Sequence, residues 1–268
     1  MSEWIRVTRS KRCPICGKPD WCSISADGTA ACCARIVEGS ILTTNGGYVH
    51  RLTDTIPQHE LPPKDPPRPD IDVAAIMRRF QAAITSQRRT FLAGHLGVSP
   101  ESLAALAMGW SYEHHAYAFP MRDAYRRIIG IRLRDRDGRK WAVRGSRNGL
   151  FLPVRGRSDC LLVCEGESDT AAAITLGFDA IGRPGCTNGA DLIVELLKRE
   201  QHSGQIVVLG DSDRPGVLGA ISLCDRLRDE SIKAITCVPP AKDIRAWLIA
   251  GATHQDVRIA IGHTGATK

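Results

Sequence analysis

Hydrophobic and polar positions follow three different patterns along the chain. Up to about residue 56, short strand-like pieces such as WCSIS and GYVHRL surround a cluster of cysteines. From Ile71, apolar residues recur first at helical spacing, in IDVAAIMRRFQAAITSQ, and then in strand-like runs such as HAYAFPM and RRIIGIRLRD. From Cys160, the short apolar runs CLLVC, FDAIG, QIVVLGD and AITCVP alternate with helical stretches. The pattern therefore predicts three structured blocks.

We expect an α+β protein overall, in which the last block is α/β with a central parallel sheet, because its apolar strands alternate with helices. Ser99 and Pro100 predict the start of a helix, and Asp137-Gly138 predicts a turn between strands. Prolines at six positions in IPQHELPPKDPPRPD predict an extended tether. The expected segments are a β-rich N-terminal domain (1–56), the tether (57–70), a basic α+β part (71–157), the α/β part (158–251) and a C-terminal tail (252–268).

The composition is that of a folded protein with an excess of positive charge. Hydrophobic residues make up 43% and charged residues 24%, and the formal net charge is +7. No apolar run reaches the roughly 18 residues of a membrane span, and the N-terminus lacks a signal-peptide core, so we expect a cytoplasmic protein with no membrane partner. The basic residues concentrate between Met121 and Arg157, which predicts a phosphate-contacting surface, with a solvated strand face as the alternative. This basic block includes Arg132, Arg134, Lys140, Arg144 and Arg147.

Five of the ten cysteines fall between residues 13 and 33, which predicts a metal site rather than disulfides. Cys13 and Cys16 flank two residues and precede a glycine, and Cys22 follows. A hairpin at Asp27-Gly28 would return Cys32 or Cys33 to the same place. Because adjacent strand residues point to opposite faces, only one of the two should complete a tetrahedral Zn²⁺ site. We favour Cys33, with Cys32 as the substitute.

Acidic residues follow two of the apolar strands of the last block. Glu165 comes directly after LLVC, and Asp169 lies in the first turn of the helix that follows. Asp211 and Asp213 come after IVVLG. Carboxyl ends of parallel strands share one edge of a sheet, so these oxygens should gather there, where they suit Mg²⁺ or Mn²⁺. An alternative for the Asp211–Asp213 pair alone is a helix cap.

These motifs resemble a known family. EGESD after one strand and DSD after a later one look like the TOPRIM domain shared by bacterial-type primases, topoisomerases, recombination mediators and some nucleases. PPAKDIRAWL is similar to the KD-x-x-x-WL ending common in these proteins. The stretch from LGVSPESLAALAMGW to GLFLP resembles the amino-terminal half of the catalytic core of phage and mobile-element primases, and CPICGKPDWCSISADG resembles their zinc ribbon. The resemblance runs from about residue 10 to residue 250, in the family's order.

The resemblance implies roles for the acidic residues. Glu165 matches the TOPRIM glutamate implicated in metal binding or acid–base chemistry. Asp211 and Asp213 match the DxD metal pair. Asp169 and Asp243 match further acidic positions of the primase metal cluster.

The resemblance also implies a nucleic-acid surface. Lys140, Arg144 and Arg147 lie where primases carry a basic ridge that holds template and nucleotide phosphates. Glu167 departs from some primases, which have an uncharged or aromatic residue in its place, and we expect its side chain to be solvated.

The predicted function is therefore that of a DNA primase, which joins ribonucleoside triphosphates on a single-stranded DNA template with Mg²⁺ or Mn²⁺ and a structural Zn²⁺. Because no P-loop is found, we expect a separate replicative helicase or replication protein as partner. The alternatives are a TOPRIM nuclease, which would cut DNA without ribonucleotides, and a non-catalytic zinc and TOPRIM binding module. A topoisomerase is disfavoured because no tyrosine has an evident nucleophile context and the large DNA-gating domains are absent.

Overall fold

A computed structural model describes residues 4–44, 46–52, 71–154 and 159–265. The chain divides into two compact units, an N-terminal unit up to Pro67 and a C-terminal unit from Arg68. The predicted tether over residues 57–70 and the basic residues Arg155 and Arg157 lie outside the described residues. No helix in the described part of the chain is long and apolar enough to cross a lipid bilayer.

The N-terminal unit is an antiparallel sheet around a small core. Its strands are β1 (Trp4–Arg6), β2 (Ser23–Ser25), β3 (Ala30–Cys33), β4 (Leu42–Thr44) and β5 (Gly47–Arg51). They are arranged in the order β1-β2-β3-β5-β4. Strands β2 and β3 form the hairpin predicted at Asp27-Gly28, where Gly28 takes the positive φ of 73° that favours glycine in turns. Cysteines make up much of the core, so hydrophobic burial alone gives this unit little stability.

The C-terminal unit begins with three short helices, each capped by a side chain. They are α1 (Val73–Ala83), α2 (Ser86–Leu96) and α3 (Pro100–Ala105). Ser99 caps α3 and Pro100 opens it, as predicted. The helical pattern that continued to residue 87 is broken, because Ile84 is extended and Thr85 starts a new helix by accepting a hydrogen bond from the Arg88 N–H.

An antiparallel sheet follows the three helices. Its strands are β6 (Gly109–Ser111), β7 (Ala116–Arg122), β8 (Ile128–Arg134) and β9 (Lys140–Ala142), joined in this order. The turn between β8 and β9 contains Gly138 with a positive φ of 86°, which agrees with the predicted Asp137-Gly138 turn. Leu150 and Phe151 then connect two sheets, because Leu150 pairs with Arg122 of β7 and Phe151 with Gly182.

The last part of the chain is a parallel sheet covered by helices on both faces, as the apolar runs predicted. The strands are β10 (Cys160–Glu165), β11 (Asp179–Arg183), β12 (Gln205–Leu209) and β13 (Ala234–Cys237). The helices are α4 (Gly166–Thr175), α5 (Ala190–Arg199), α6 (Arg214–Asp229), α7 (Ile244–Ile249) and α8 (His254–Gly265). The strand order is β11-β10-β12-β13, and all three pairings are parallel.

Alternate residues of β10 enter two different cores. Leu162 and Cys164 belong to a cluster that includes α2, α3, β7 and α8, whereas Leu161 and Val163 pack with α5 and α6. The first cluster joins the antiparallel and parallel sheets into one unit. It also includes Val257 and Ile261 of α8, so part of the segment that we expected to be a tail is a packed helix.

Candidate metal centres and nucleic-acid interface

Four cysteine sulfurs come together in the N-terminal unit. The Sγ atoms of Cys13, Cys16, Cys22 and Cys33 all lie within 4.8 Å of one another. The Cys16 and Cys22 sulfurs are 3.7 Å apart, which matches the edge of a tetrahedron with Zn–S bonds of about 2.3 Å. The four sulfurs therefore fit a structural Zn²⁺.

Backbone N–H groups and neighbouring charges prepare the cysteine cluster for a cation. The N–H groups of Ala34 and Ile36 each point to a sulfur, Cys22 and Cys33 respectively, at 3.4 Å. Burial opposes ionisation of Cys16, but hydrogen bonds from the Lys18 backbone and from neighbouring thiols lower the pKa of its thiol to about 7. Burial raises the pKa of Cys22 to about 12, which a bound Zn²⁺ would reverse by holding the thiolate.

Cys32 is outside this cluster. Its sulfur lies 3.7 Å from the Thr44 hydroxyl, on the other face of β3 from Cys33. A contact that the sequence did not predict is made by Arg35, whose guanidinium lies 3.6 Å from the Cys22 sulfur and pairs with Asp20. Arg35 therefore offsets part of the negative charge that four thiolates would share around a divalent ion.

The acidic residues lie at the carboxyl edge of the parallel sheet. Glu165 ends β10 and Asp169 lies one turn into α4. Asp211 follows β12, while Asp213 caps α6 and Asp243 caps α7 through hydrogen bonds from the Gly216 and Ala246 N–H groups. The structure thus places all five predicted carboxylates on segments that leave one edge.

Backbone contacts hold the acidic loops together. The Ser212 N–H donates to the Lys242 carbonyl at 2.8 Å, which joins the loop after β12 to the loop after β13. Gly216 packs against Asp211 so closely that a β-carbon on it would lie 2.7 Å from the Asp211 Cβ. Only glycine fits there, so Gly216 fixes where Asp211 sits.

The carboxylates interact electrostatically as one cluster. Burial, followed by the charges of Asp243 and Asp211, raises the pKa of Asp169 to about 7. Burial and the charges of Asp243 and Asp213 also raise the pKa of Asp211. The Asp169 Oδ1 is buried without a hydrogen-bond partner. Mutual repulsion and an unpaired oxygen acceptor are what a divalent cation would relieve.

The carboxylates stand further apart than the sulfurs. Within the described ranges, the cysteine cluster is the only group of three or more potential ligands whose atoms all lie within 4.8 Å of one another. Carboxylate oxygens are the donors that Mg²⁺ and Mn²⁺ prefer, and such ions keep several water molecules and bind substrate phosphates as well as carboxylates. The donor set therefore fits a hydrated divalent ion.

Arg183 is a buried partner of Glu165 that the sequence did not predict. It lies on β11 directly beside Glu165, is only 2% exposed, and pairs with the glutamate at 3.2 Å. It also donates to the carbonyls of Cys186 and Gly219. Burial raises the pKa of Glu165, as do Asp211 and Asp213, while Arg183 opposes the rise. Arg183 thus holds Glu165 in place and keeps it closer to ionisation.

Glu167 is not solvated, which corrects our expectation. Its side chain is 1% exposed and accepts from Lys140 Nζ at 2.8 Å and from the Arg134 guanidinium at 3.3 Å. Burial would raise the pKa of Glu167, but the charge and hydrogen bond of Lys140, a backbone hydrogen bond and the charge of Arg134 together lower it. The sequence could not show this because the two cations lie on another sheet, 27 and 33 residues away.

The predicted basic surface divides into two groups. Arg144 and Arg147 are exposed, whereas Arg132 is partly buried with its Nη2 4.0 Å from the Met121 sulfur. Arg134 is buried beside Glu167, so it does not present a free guanidinium to phosphates. Lys140 is intermediate between the exposed and the buried arginines, since its side chain is 32% exposed and pairs with Glu167.

A group of aromatic and arginine side chains lies beside the β8–β9 turn. Arg88 lies over the rings of Trp110 and Tyr112, at 4.7 and 5.1 Å, and Arg136 lies 5.4 Å from the Phe91 ring. Phe91 and Tyr112 are more than half exposed. We call these five residues the aromatic–arginine cluster. A cavity of about 380 Å³ opens beside it, and the buried Trp110 indole N–H has no partner there.

The fold is that of DNA primases. No protein-family model and no curated protein matches the sequence. Among solved structures, the DnaG primase catalytic domain bound to single-stranded DNA is similar, with a TM-score of 0.56 and 16% identity over 71% of this chain and 79% of that one. The Aquifex aeolicus primase, comprising zinc-binding and RNA polymerase domains, has a TM-score of 0.57 and 13% identity over 72% of this chain and 60% of that one.

A phage protein is similar over a longer stretch. The primase fragment of the bacteriophage T7 primase-helicase has a TM-score of 0.53 and 17% identity, and the match covers 97% of this chain and all of that fragment. The identities are low, so these likenesses show the fold alone: an N-terminal unit whose four-cysteine cluster fits a zinc ribbon, and an α+β unit with a parallel sheet.

Proposed function

We propose that this chain is a DNA primase, which synthesises short RNA primers on single-stranded DNA by metal-dependent nucleotidyl transfer. The observation that carries the proposal is the set of carboxylates at one edge of the parallel sheet, in a fold that is shared with solved primases. A scaffold that only bound DNA would gain nothing from carboxylates that repel one another and raise the pKa of Asp169 to about 7.

The acidic residues are proposed to hold Mg²⁺ or Mn²⁺. Glu165, Asp169, Asp211, Asp213 and Asp243 would supply the oxygens, some directly and others through water. When bound, such ions would favour ionisation of the attacking 3′-hydroxyl and neutralise the triphosphate as pyrophosphate leaves. The protein's own contribution is to position the reactants and to present fixed charge.

The cationic side chains beside this edge are proposed to bind phosphates. Lys140 lies close to the carboxylates and would contact the incoming triphosphate, while the exposed Arg144 and Arg147 would contact the template backbone. Template bases are proposed to stack on Phe91 and Tyr112, because exposed rings flanked by arginines suit unpaired bases of any sequence.

The zinc module is proposed to present the template to the catalytic core. Its four-cysteine cluster would hold the sheet of the N-terminal unit together around one Zn²⁺. A role in reading template sequence follows from the resemblance to primases, and the predicted partnership with a separate helicase or replication protein belongs to the same proposal.

The test is primer synthesis on single-stranded DNA with labelled ribonucleotides and Mg²⁺ or Mn²⁺. We expect the wild type to extend primers and Asp211→Asn/Asp213→Asn to lose at least about 100-fold in rate, since fixed charge at the reacting phosphates is a large contribution to catalysis. Asparagine at position 213 still caps α6, so the fold should be kept.

Asp225→Asn on the exposed face of α6 is the matched control, because it also removes an aspartate but lies in a surface ion pair with Arg228. It should leave the rate within about twofold. Cleavage of DNA without template-dependent RNA would contradict the proposal and favour a nuclease.

A further inference from the structure

Glu167 connects the two sheets of the C-terminal unit through a buried ionic contact. It lies in the first turn of α4, on the parallel-sheet side, and both of its partners belong to the β8–β9 hairpin of the antiparallel sheet. Arg134 and Lys140 face each other in the register of that hairpin. The Glu167 carboxylate therefore pairs with two cationic side chains from neighbouring strands. Neither Glu167 nor its two partners is a predicted metal ligand.

Lys140 is held next to the acidic cluster but is bound to Glu167. A β-carbon on Gly166 would lie 3.7 Å from the Lys140 Nζ, so the ammonium group stands over the turn that joins Glu165 to α4. Asp169 lies in the next part of the same helical turn, with its Oδ1 buried and unpaired. A lysine stem is flexible, so a free ammonium group at this position could pair with Asp169.

That alternative pairing would compete with metal binding. An ammonium group on Asp169 would occupy an oxygen that a divalent ion needs and would add a positive charge beside it. It would also withdraw the lysine from the phosphates of a bound nucleotide. In the structure the ammonium group is instead held on Glu167, which is 1% exposed and lies 2.8 Å from Lys140 Nζ.

We propose that Glu167 is a positioning residue that keeps the Lys140 ammonium group from pairing with Asp169 and leaves it available to the nucleotide phosphates, so that the lysine and the metal ion do not compete for the same oxygen. The part that concerns nucleotide rests on the proposed function. The part that concerns metal does not.

Binding of Mn²⁺ to the full chain tests the proposal without any catalytic reaction. Free Mn²⁺ is measured by electron paramagnetic resonance with the wild type, Glu167→Gln, Lys140→Met and the double variant. We expect Glu167→Gln to weaken Mn²⁺ binding about tenfold, the effect of one charged contact. The double variant should bind Mn²⁺ as tightly as Lys140→Met, because without the ammonium group there is no competitor.

Glu230→Gln is the matched control, because Glu230 also pairs with one lysine and one arginine, Lys198 and Arg226, but on the exposed face. It should bind Mn²⁺ like the wild type. If the double variant stays as weak as Glu167→Gln, the glutamate acts on the metal or the fold directly, and the proposal is wrong.

Lys140→Met provides a second test if Glu167→Gln folds poorly with Arg134 left unpaired. It keeps the Glu167–Arg134 contact. We expect unchanged or tighter Mn²⁺ binding and about tenfold weaker binding of fluorescent ATP, measured by anisotropy. Unchanged ATP binding would overturn the nucleotide part. If the wild type makes no primers, the proposed function fails, while the Mn²⁺ results still decide whether Glu167 restrains Lys140.

Discussion

Cys32 and Cys33 are neighbours in β3 whose sulfurs contact different groups. Cys33 joins the four-sulfur cluster, and Cys32 lies against Thr44. The alternation of side chains along a strand explains the difference and is readable in the sequence. Which of the two faces the cluster is not readable, because it depends on how β3 pairs with β2 and β5.

The two cysteines should therefore respond differently to substitution. We expect Cys33→Ser to lose bound Zn²⁺ and much of the ordered structure of the N-terminal unit, since metal binding and folding are coupled in such small units. Cys32→Ser should retain about one Zn²⁺ per chain. Mass spectrometry measures the zinc content of each variant, and circular dichroism of the same samples measures its ordered structure. Zinc loss in Cys32→Ser instead would reverse the assignment.

Asp169 makes stability depend on pH. The pKa of Asp169 is about 7 in the folded protein and about 4 in the unfolded chain, so the folded state holds its proton more tightly. The resulting stabilisation is fully present below about pH 4. This contribution is lost as the pH rises through 7. In buffer without Mg²⁺ or Mn²⁺ and with zinc left bound, the free energy of unfolding should fall over this range, by at most about 4 kcal/mol for this group.

Calorimetry at stepped pH measures the effect. The free energy of unfolding of Asp169→Asn should fall less with pH than that of the wild type. Adding Mn²⁺ to the wild type at pH 7 should restore its stability, because the ion replaces the lost proton. Asp225→Asn, in its exposed ion pair, should behave like the wild type. An equal fall in Asp169→Asn would show that another group causes the pH dependence.

Helix α8 shows where element prediction from this sequence ends. The strands and helices of the parallel sheet follow from apolar runs and caps, and they were predicted. The segment HQDVRIAIGH carries a weaker pattern, and its packing depends on β13 and on a stack between His254 and Phe178 at 4.2 Å. Such contacts join residues about 76 positions apart, which no local pattern reveals.

Substitutions of two isoleucines on α8, one buried and one exposed, should distinguish the effect of lost packing from the effect of a change in helix propensity. Ile261 is 3% exposed and Ile259 is 47% exposed. We expect Ile261→Ala to lower the free energy of unfolding by about 2–4 kcal/mol through the cavity it leaves. Ile259→Ala should change it by less than about 1 kcal/mol, since it removes little buried surface. Urea denaturation measures the free energy of unfolding of both variants. Equal losses of stability would mean that α8 does not pack as described.

At the scale of the whole molecule, the positive charge predicts how the proposed binding of DNA depends on salt. The exposed Arg144 and Arg147 carry no ion pair within the described residues, so both are available to phosphates. We expect Arg144→Gln/Arg147→Gln to reduce the slope of log Kd against log salt by about 1.4, since each phosphate contact on a single strand contributes roughly 0.7.

Fluorescence anisotropy with a labelled single strand measures this slope. Arg199→Gln/Lys233→Gln removes the same charge at the opposite edge of the parallel sheet and should leave the slope unchanged. Equal slopes for both double variants would mean that binding follows net charge rather than this surface. The charge density was evident in the sequence, but the burial of Arg134 within it was not, because its partner Glu167 lies on a distant helix.

The division of the chain near Pro67 has a consequence for inheritance. Each unit has its own core, and the described contacts of each core lie within that unit. A crossover between genes at this boundary would therefore transfer either unit whole. Lineages could exchange the N-terminal unit while the carboxylates of the C-terminal unit descend unchanged. Under the proposed function, template choice and primer synthesis would then evolve at different rates.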